Sequence, residues 1–224
     1  MQSGMVMDGE ALQEKQERLI AFWKSHQGMP ERELSAFRNI KREHFVPKNL
    51  AGMAYDDQPL PLLRGKTISQ PTTVMIMTRA LEIEPGDIIY EIGTGSGYQA
   101  AILGYLAGIE GSVTTTEVIP ELVEFARTNI MKAGLHNIHI SEEDGSRGRP
   151  GAEFDKIILT AAAREFPKEL IAQLKTGGII IGPIGDAMQQ DMVRGIKRED
   201  GSLSLDFLGP YVFTPMYGRY GFME

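Results

Sequence analysis

The chain of 224 residues contains no cysteine. That excludes disulfides, thiolate metal sites and a cysteine nucleophile. Histidine is scarce, with only His26, His44, His136 and His139. The last two are close in sequence and flank a strand start, where surface or packing roles outweigh metal ligation, so no metal is expected. A basic excess is missing too: the net charge is −7. General nucleic-acid binders carry the opposite balance, so no nucleic-acid partner is expected. No apolar run is long enough to cross a bilayer, and no membrane partner is expected. The first residues lack a basic segment followed by an apolar core, so no signal peptide is read. The expectation is a soluble cytoplasmic protein. Its length suits one domain, with or without extensions, and allows a sizeable core without covalent staples.

What is present is organised around residues 88–97, IIYEIGTGSG. A short apolar run ends in Glu91, three glycines alternate with small polar residues, and Tyr98 onward reads as helix. This is a buried strand, a tight turn and a helix start. Such a turn falls where open α/β sheets bind ligands. Dinucleotide sites favour G-x-G-x-x-G, whereas the spacing here is Gly93-x-Gly95-x-Gly97. A carboxylate two residues before the first glycine suits a cation better than a pyrophosphate. S-adenosylmethionine carries an ammonium, a sulfonium and no phosphate. The glycines alone could equally make a plain turn, so the rest of the chain must decide.

Residues 1–9 read as a loose tail. Helical periodicity runs from Glu10 to about Ser25, and a second helix from Glu31 is expected to continue until Pro47 stops it. Residues 48–71 are irregular and rich in proline, glycine and polar groups, a length uncommon in a compact domain unless it has a function. Asp56 and Asp57 there read as turn formers or solvated charges rather than a paired acid site. The plain role for Thr67, Ser69 and Gln70 is capping a helix over about 72–81. The core then alternates: strand 88–92, helix 98–107, strand 113–117, helix 120–133, strand 137–141, strand 154–160, helix 166–174 and a strand opening at 179. Residues 188–197 and 203–214 form an antiparallel pair around the turn at 199–201. Such alternation requires a mostly parallel sheet with right-handed crossovers. Glu117 lies 24 positions after Gly93, where an acid at a strand end can accept ribose hydroxyls. Asp144 could accept from an adenine amino group, although an Asp-Gly turn is the better reading of that pair alone. Small residues after Thr160 leave room for a ligand or for close packing. The aromatic, glycine-rich segment from Tyr211 could pack on the domain or cover a site.

These blocks together resemble the protein-L-isoaspartate (D-aspartate) O-methyltransferase family. The likeness runs in order through 42–47 (REHFVP), 54–57 (AYDD), 65–71 (GKTISQP) and 91–101 (EIGTGSGYQAA). It continues through Asp144 and Gly145, 161–163 (AAA), Pro167, 173–178 (QLKTGG) and 183–185 (PIG). The glycine turn is shared by many methyltransferases; the block from Thr67 to Pro71 is far more specific. The resemblance implies a class I, Rossmann-like methyltransferase fold with S-adenosylmethionine as methyl donor. Its substrates would be damaged proteins and peptides containing L-isoaspartyl residues, with D-aspartyl residues as a second class. The family esterifies the misplaced carboxylate, and the ester closes to a succinimide that hydrolyses partly to normal aspartate. Carried across, Ser69 matches the active-site serine, and Thr67 and Ile68 match neighbours on the cofactor side. Glu91, Gly93, Gly95 and Gly97 match the methionine-binding turn, Glu117 the ribose acid, and Asp144 with Gly145 the adenine-side pair. Three departures from the pattern stand out. Lys66 replaces a common glutamine, Glu143 replaces a glycine, and Phe213, Thr214, Pro215 and Met216 replace F-V-P-L. The implied organisation is a helical extension with the active-site loop over 1–71 and a methyltransferase core over 72–224.

The chemistry asks for little acid–base machinery, since a carboxylate is already ionised at neutral pH. Ser69 is therefore expected to orient the acceptor rather than attack as a nucleophile. Three rivals stand beside this reading. A methyltransferase of the same fold could act on another acceptor. A nicotinamide-dependent oxidoreductase would leave Glu91 unexplained. A non-catalytic sensor would bind S-adenosylmethionine and methylate nothing.

Overall fold

The computed structural model describes residues 9–222, so the tail reading of 1–8 lies outside the described residues. Helix α1 (Gly9–Phe22) runs into a π-helical turn, and α2 spans Glu31–Asn39. The short pair β1 (Leu60–Pro61) and β2 (Thr67–Ile68) precedes α3 (Pro71–Ala80). The core follows as β3 (Ile88–Ile92), α4 (Tyr98–Ala107), β4 (Ser112–Glu117), α5 (Pro120–Lys132) and β5 (Ile138–Glu142). It is completed by β6 (Phe154–Leu159), α6 (Lys168–Gln173), β7 (Leu174–Gly185), β8 (Gln190–Lys197) and β9 (Leu203–Tyr211). Among the described residues no helix is long and apolar enough to cross a membrane.

The main sheet has the order β5-β4-β3-β6-β7-β8-β9. Its pairs are parallel from β5 to β7 and antiparallel from β7 to β9. This is the mostly parallel, Rossmann-like sheet with an antiparallel C-terminal pair expected from the sequence. The order reverses beside β3: the chain first moves out through β4 and β5, then returns to β6 on the other flank. Ligands bind at such switch points because the loops after the two central strands diverge and leave a crevice.

Strand alternation divides the core. Ile89 joins one apolar cluster, Tyr90 and Ile92 the other. Helix α4 is buried on nearly all sides because the sheet covers one face and the N-terminal helices the other. Trp23, Leu34 and Phe37 share that cluster with Leu103 and Ile89, so the N-terminal segment packs into the same core as the sheet. Trp23 and Phe37 meet edge-on at 4.6 Å.

Two local expectations differ from the structure. Helix α2 ends at Asn39, not near Pro47, and Ile40 is extended. The chain leaves the helix so that Arg42 and Phe45 can both turn inward, and each is fully buried. Helix α3 takes no cap from Thr67, Ser69 or Gln70. Its N-terminus is capped from a distance: Asp57 accepts the Thr72 amide at 2.9 Å and the Thr72 hydroxyl at 2.7 Å. Asp56 pairs with Lys15 at 2.8 Å. The adjacent acids are thus structural, though more specifically so than turn formers.

Candidate active site

Two chambers open at the carboxyl ends of the central strands. The larger spans about 820 Å³, part of it open to solvent. Its floor is the glycine turn after β3, where Gly93 and Gly95 have φ of 101° and 54°. At Gly93 a Cβ would sit 2.4 Å from the Thr160 hydroxyl, so glycine is required by space as well as by backbone. The turn is stitched to its neighbours. Thr160 donates to the Ile92 and Gly93 carbonyls, and Asn129 donates to the Ser96 carbonyl at 3.0 Å. Glu117 closes one wall from the end of β4. Its Oε2 accepts the Gly95 amide at 3.0 Å, and its Oε1 accepts the Val118 and Ile119 amides at 2.9 and 3.1 Å. A carboxylate offers about four acceptor sites, so roughly one remains for a ligand.

The roof comes from two segments distant in sequence. Lys66 to Ser69 enter from β2, and Thr214 to Tyr217 from the segment after β9. That last segment is clamped by main-chain bonds to Ala162, 2.9 Å in each direction. The Lys66 ammonium lies 3.9 Å from the centre of the Tyr217 ring, which ties the two roof pieces together.

The smaller chamber, about 580 Å³, lies behind Ser69 and is bounded by Pro59, Gln70, Thr73 and the segment 211–214. Thr67, Ser69, Thr160 and Thr214 line both chambers, which therefore adjoin along them. The lining of the smaller chamber carries hydroxyls and aromatic rings but no ionised side chain. Among the described residues the Ser69 hydroxyl has no protein partner, and neither chamber has a histidine in its lining. The arrangement can orient an acceptor; no base is hydrogen-bonded to the serine to activate it as a nucleophile.

Of the residues singled out in the sequence, Thr67, Ile68, Ser69, Gly93, Gly95, Glu117 and Gly145 line the larger chamber. Glu91, Gly97 and Asp144 do not. Strand alternation turns Glu91 under α4, where it is fully buried and neither oxygen has a hydrogen-bond partner. Thr115 stands opposite it on β4, but the Thr115 hydroxyl is paired with that of Thr94 at 2.7 Å. Burial, with the Glu117 charge adding to it, pushes the Glu91 carboxyl up to about 8. Gly97 starts α4 with φ of 83°, and a Cβ there would press on Ile130 and Ala126. The Asp144 carboxylate accepts from the Ser146 amide and hydroxyl and from the Arg219 amide at 2.9 Å, fastening the C-terminal segment. Those bonds hold it below the usual carboxylate range despite partial burial. Thr160, Thr214, Met216 and Tyr217 also line the larger chamber. The small residues after β6 signalled room near Thr160, whereas nothing local signals which face of the C-terminal segment meets the site. Among the described residues no group of three His, Cys, Asp or Glu could hold a metal ion.

Comparison with known proteins identifies the family. The profile of the protein-L-isoaspartate(D-aspartate) O-methyltransferase family matches residues 14–221. A protein-L-isoaspartate O-methyltransferase of Methanoculleus marisnigri is 42% identical, covering 96% of this chain and 97% of its own. One from Pyrococcus horikoshii is 40% identical over 98% of this chain and 100% of its own. A solved protein-L-isoaspartate O-methyltransferase structure superposes with a TM-score of 0.82 at 27% identity, covering 92% of this chain and 67% of that one. A Plasmodium falciparum structure assigned to the same enzyme type, solved with S-adenosyl-L-homocysteine, has a TM-score of 0.78 at 22% identity. It covers 89% of this chain and 96% of its own, and at that identity speaks to the fold alone. The chain belongs to the protein-L-isoaspartate(D-aspartate) O-methyltransferase family.

Proposed function

We propose that the chain transfers a methyl group from S-adenosylmethionine to the free carboxylate of L-isoaspartyl residues, and of D-aspartyl residues as a second class, in damaged proteins. One observation carries this: a large chamber over the glycine turn meets a smaller, unionised chamber at the free hydroxyl of Ser69. The residues present fit the donor. The bare, left-handed turn at Gly93 and Gly95 admits close backbone approach, and Glu117 retains an acceptor site for a ribose hydroxyl. Thr67, Ile68 and Gly145 bound the same space. Glu91 and Asp144 support it indirectly, the first beneath the turn and the second by fastening the segment that roofs the chamber. Gly97 sets the start of α4 behind it.

When bound, S-adenosylmethionine supplies an electrophilic methyl on a sulfonium. The chain's own residues need not move a proton, because the acceptor carboxylate, with a pKa of about 4, is ionised already. Ser69 donates its hydroxyl hydrogen to one acceptor oxygen and leaves the other free towards the larger chamber. Thr160 and Thr214 line both chambers, and the roof from Met216 and Tyr217 limits water. Orientation of this kind can contribute roughly 7–11 kcal/mol towards a barrier. A cytoplasmic location and the lack of a nucleic-acid partner stand with this proposal, and the net charge of −7 supports the second.

The test is methyl incorporation into an isoaspartyl peptide compared with its aspartyl twin. Labelling of the isoaspartyl peptide alone is expected; equal labelling of both, or of neither, would overturn the reading.

A further inference from the structure

Arg42 is the fully buried cation behind Ser69. Its side chain is 0% exposed. Nε donates to the Ala54 carbonyl at 2.8 Å, and Nη2 donates to the Ser69 carbonyl at 2.7 Å. The guanidinium lies over the Tyr98 ring, 5.0 Å from its centre, at the first residue of α4. Nη1 has no partner. Among the described residues no carboxylate forms an ion pair with it. Asp57 favours the charge through space but is itself committed to capping α3. Burial brings the guanidinium down to about 10, which still leaves it charged at neutral pH.

A lone buried charge is costly, and an apolar residue of similar volume would be cheaper for folding alone. Its position suggests what offsets the cost. The Ser69 carbonyl precedes the N-cap of α3, outside the helix ladder, and Arg42 is its donor. From the other side, Asp57 and Trp23 fix Thr72, with the Trp23 indole 2.8 Å from the Thr72 hydroxyl. The corner bearing Ser69 is thus held at both ends by the N-terminal segment. The chamber beyond it has no ionised lining. In a poorly screened interior, a charge one residue behind the wall still acts on what enters.

We propose that Arg42 is the positioning residue of the acceptor chamber: it holds the Ser69 main chain and supplies the positive potential by which an unionised chamber prefers a carboxylate. This rests on the proposed function above. Arg42→Lys keeps the charge but cannot bridge the two carbonyls, because a single ammonium lacks the planar fork. Arg42→Gln keeps a donor but loses the charge.

The experiment measures binding of two peptides to the S-adenosylhomocysteine complex: the isoaspartyl peptide, and the same peptide with that carboxylate converted to a carboxamide. It also measures kcat and KM for the isoaspartyl peptide. In Arg42→Gln the preference for carboxylate over carboxamide should fall about tenfold or more, while carboxamide affinity stays within about twofold. In Arg42→Lys the preference should survive while kcat falls about three- to tenfold. S-adenosylhomocysteine affinity should be unchanged in both. A merely structural role would weaken both peptides alike. An unchanged preference in Arg42→Gln overturns the proposal, as does its loss in Arg42→Lys. If Arg42→Gln does not fold, the lysine variant decides alone: a retained preference with a lowered kcat supports the proposal, and loss of the preference or an unchanged kcat overturns it. A parent that methylates no isoaspartyl peptide overturns the proposed function instead, so the two failures are distinguishable.

Discussion

The Glu117 carboxylate accepts the Gly95 amide at 3.0 Å, joining the end of β4 to the glycine turn after β3. The same carboxylate holds the Val118 and Ile119 amides, so one side chain both shapes the larger chamber and borders it. Glu117→Ala would free three buried or half-buried amides. Hydrogen bonds to a charged group are worth about 1.5–3 kcal/mol each. S-adenosylhomocysteine affinity should fall by about 10–100-fold, and Tm should drop, as calorimetry and thermal unfolding would record. Affinity equal to that of the parent would remove Glu117 from the donor site.

Ser69→Ala should separate chemistry from donor binding. The hydroxyl is free in the structure and Ser69 lines both chambers, so its removal disturbs no existing bond. The expected loss is about 10–100-fold in kcat, the equivalent of one oriented hydrogen bond to a charged acceptor. The dissociation constant for S-adenosylhomocysteine should stay within a factor of about two. Steady-state kinetics with an isoaspartyl peptide read the first, and calorimetry the second.

Glu91 makes stability depend on pH. Its carboxyl is raised from 4.5 to about 8, first by burial and then by the Glu117 charge. The folded protein therefore keeps a proton that the unfolded chain releases. The resulting stability is fully present below about pH 4.5 and is lost as pH rises through 8. Glu91→Gln has nothing to titrate. It should match the parent near pH 5 and exceed it at pH 9, by on the order of a few kcal/mol. Thermal unfolding of both proteins at the two pH values would show a widening gap; a constant gap would contradict it.

The Lys66 and Tyr217 contact at 3.9 Å should govern how fast the donor leaves. Both residues belong to the roof rather than to the floor of the chamber. A cation over an aromatic ring is worth about 0.5–1 kcal/mol at an exposed site. Tyr217→Leu, or Lys66→Ala, should therefore speed release of S-adenosylhomocysteine by about two- to fivefold. Stopped-flow displacement measures this directly, and the double variant should be no faster than the single ones if the pair acts as a unit.

Local sequence was sufficient for most of the core. The run ending in Glu91, the bare spacing of Gly93, Gly95 and Gly97, and the apolar stretch from Tyr98 define β3, its turn and α4 within a few residues. Periodicity, glycine and proline carry that information because strand alternation and turn geometry depend on near neighbours. The hairpin of β8 and β9 was legible for the same reason. The end of α2 was not, because burial of Arg42 and Phe45 overrides a helical pattern that nothing nearby interrupts before Pro47.

By itself, then, the sequence determined the order of strands and helices, the place of the glycine turn and the residues that carry the family likeness. Only the tertiary structure decided which partners complete each group. It set Asp57 on Thr72, 15 positions away, Arg42 on Ser69, 27 away, and Asp144 on Arg219, 75 away. It also put Glu91 beneath the turn and brought Tyr217 over the chamber. Such pairings depend on how loops close across the sheet and on which buried polar groups must find a partner. Spacing along the chain carries no record of either.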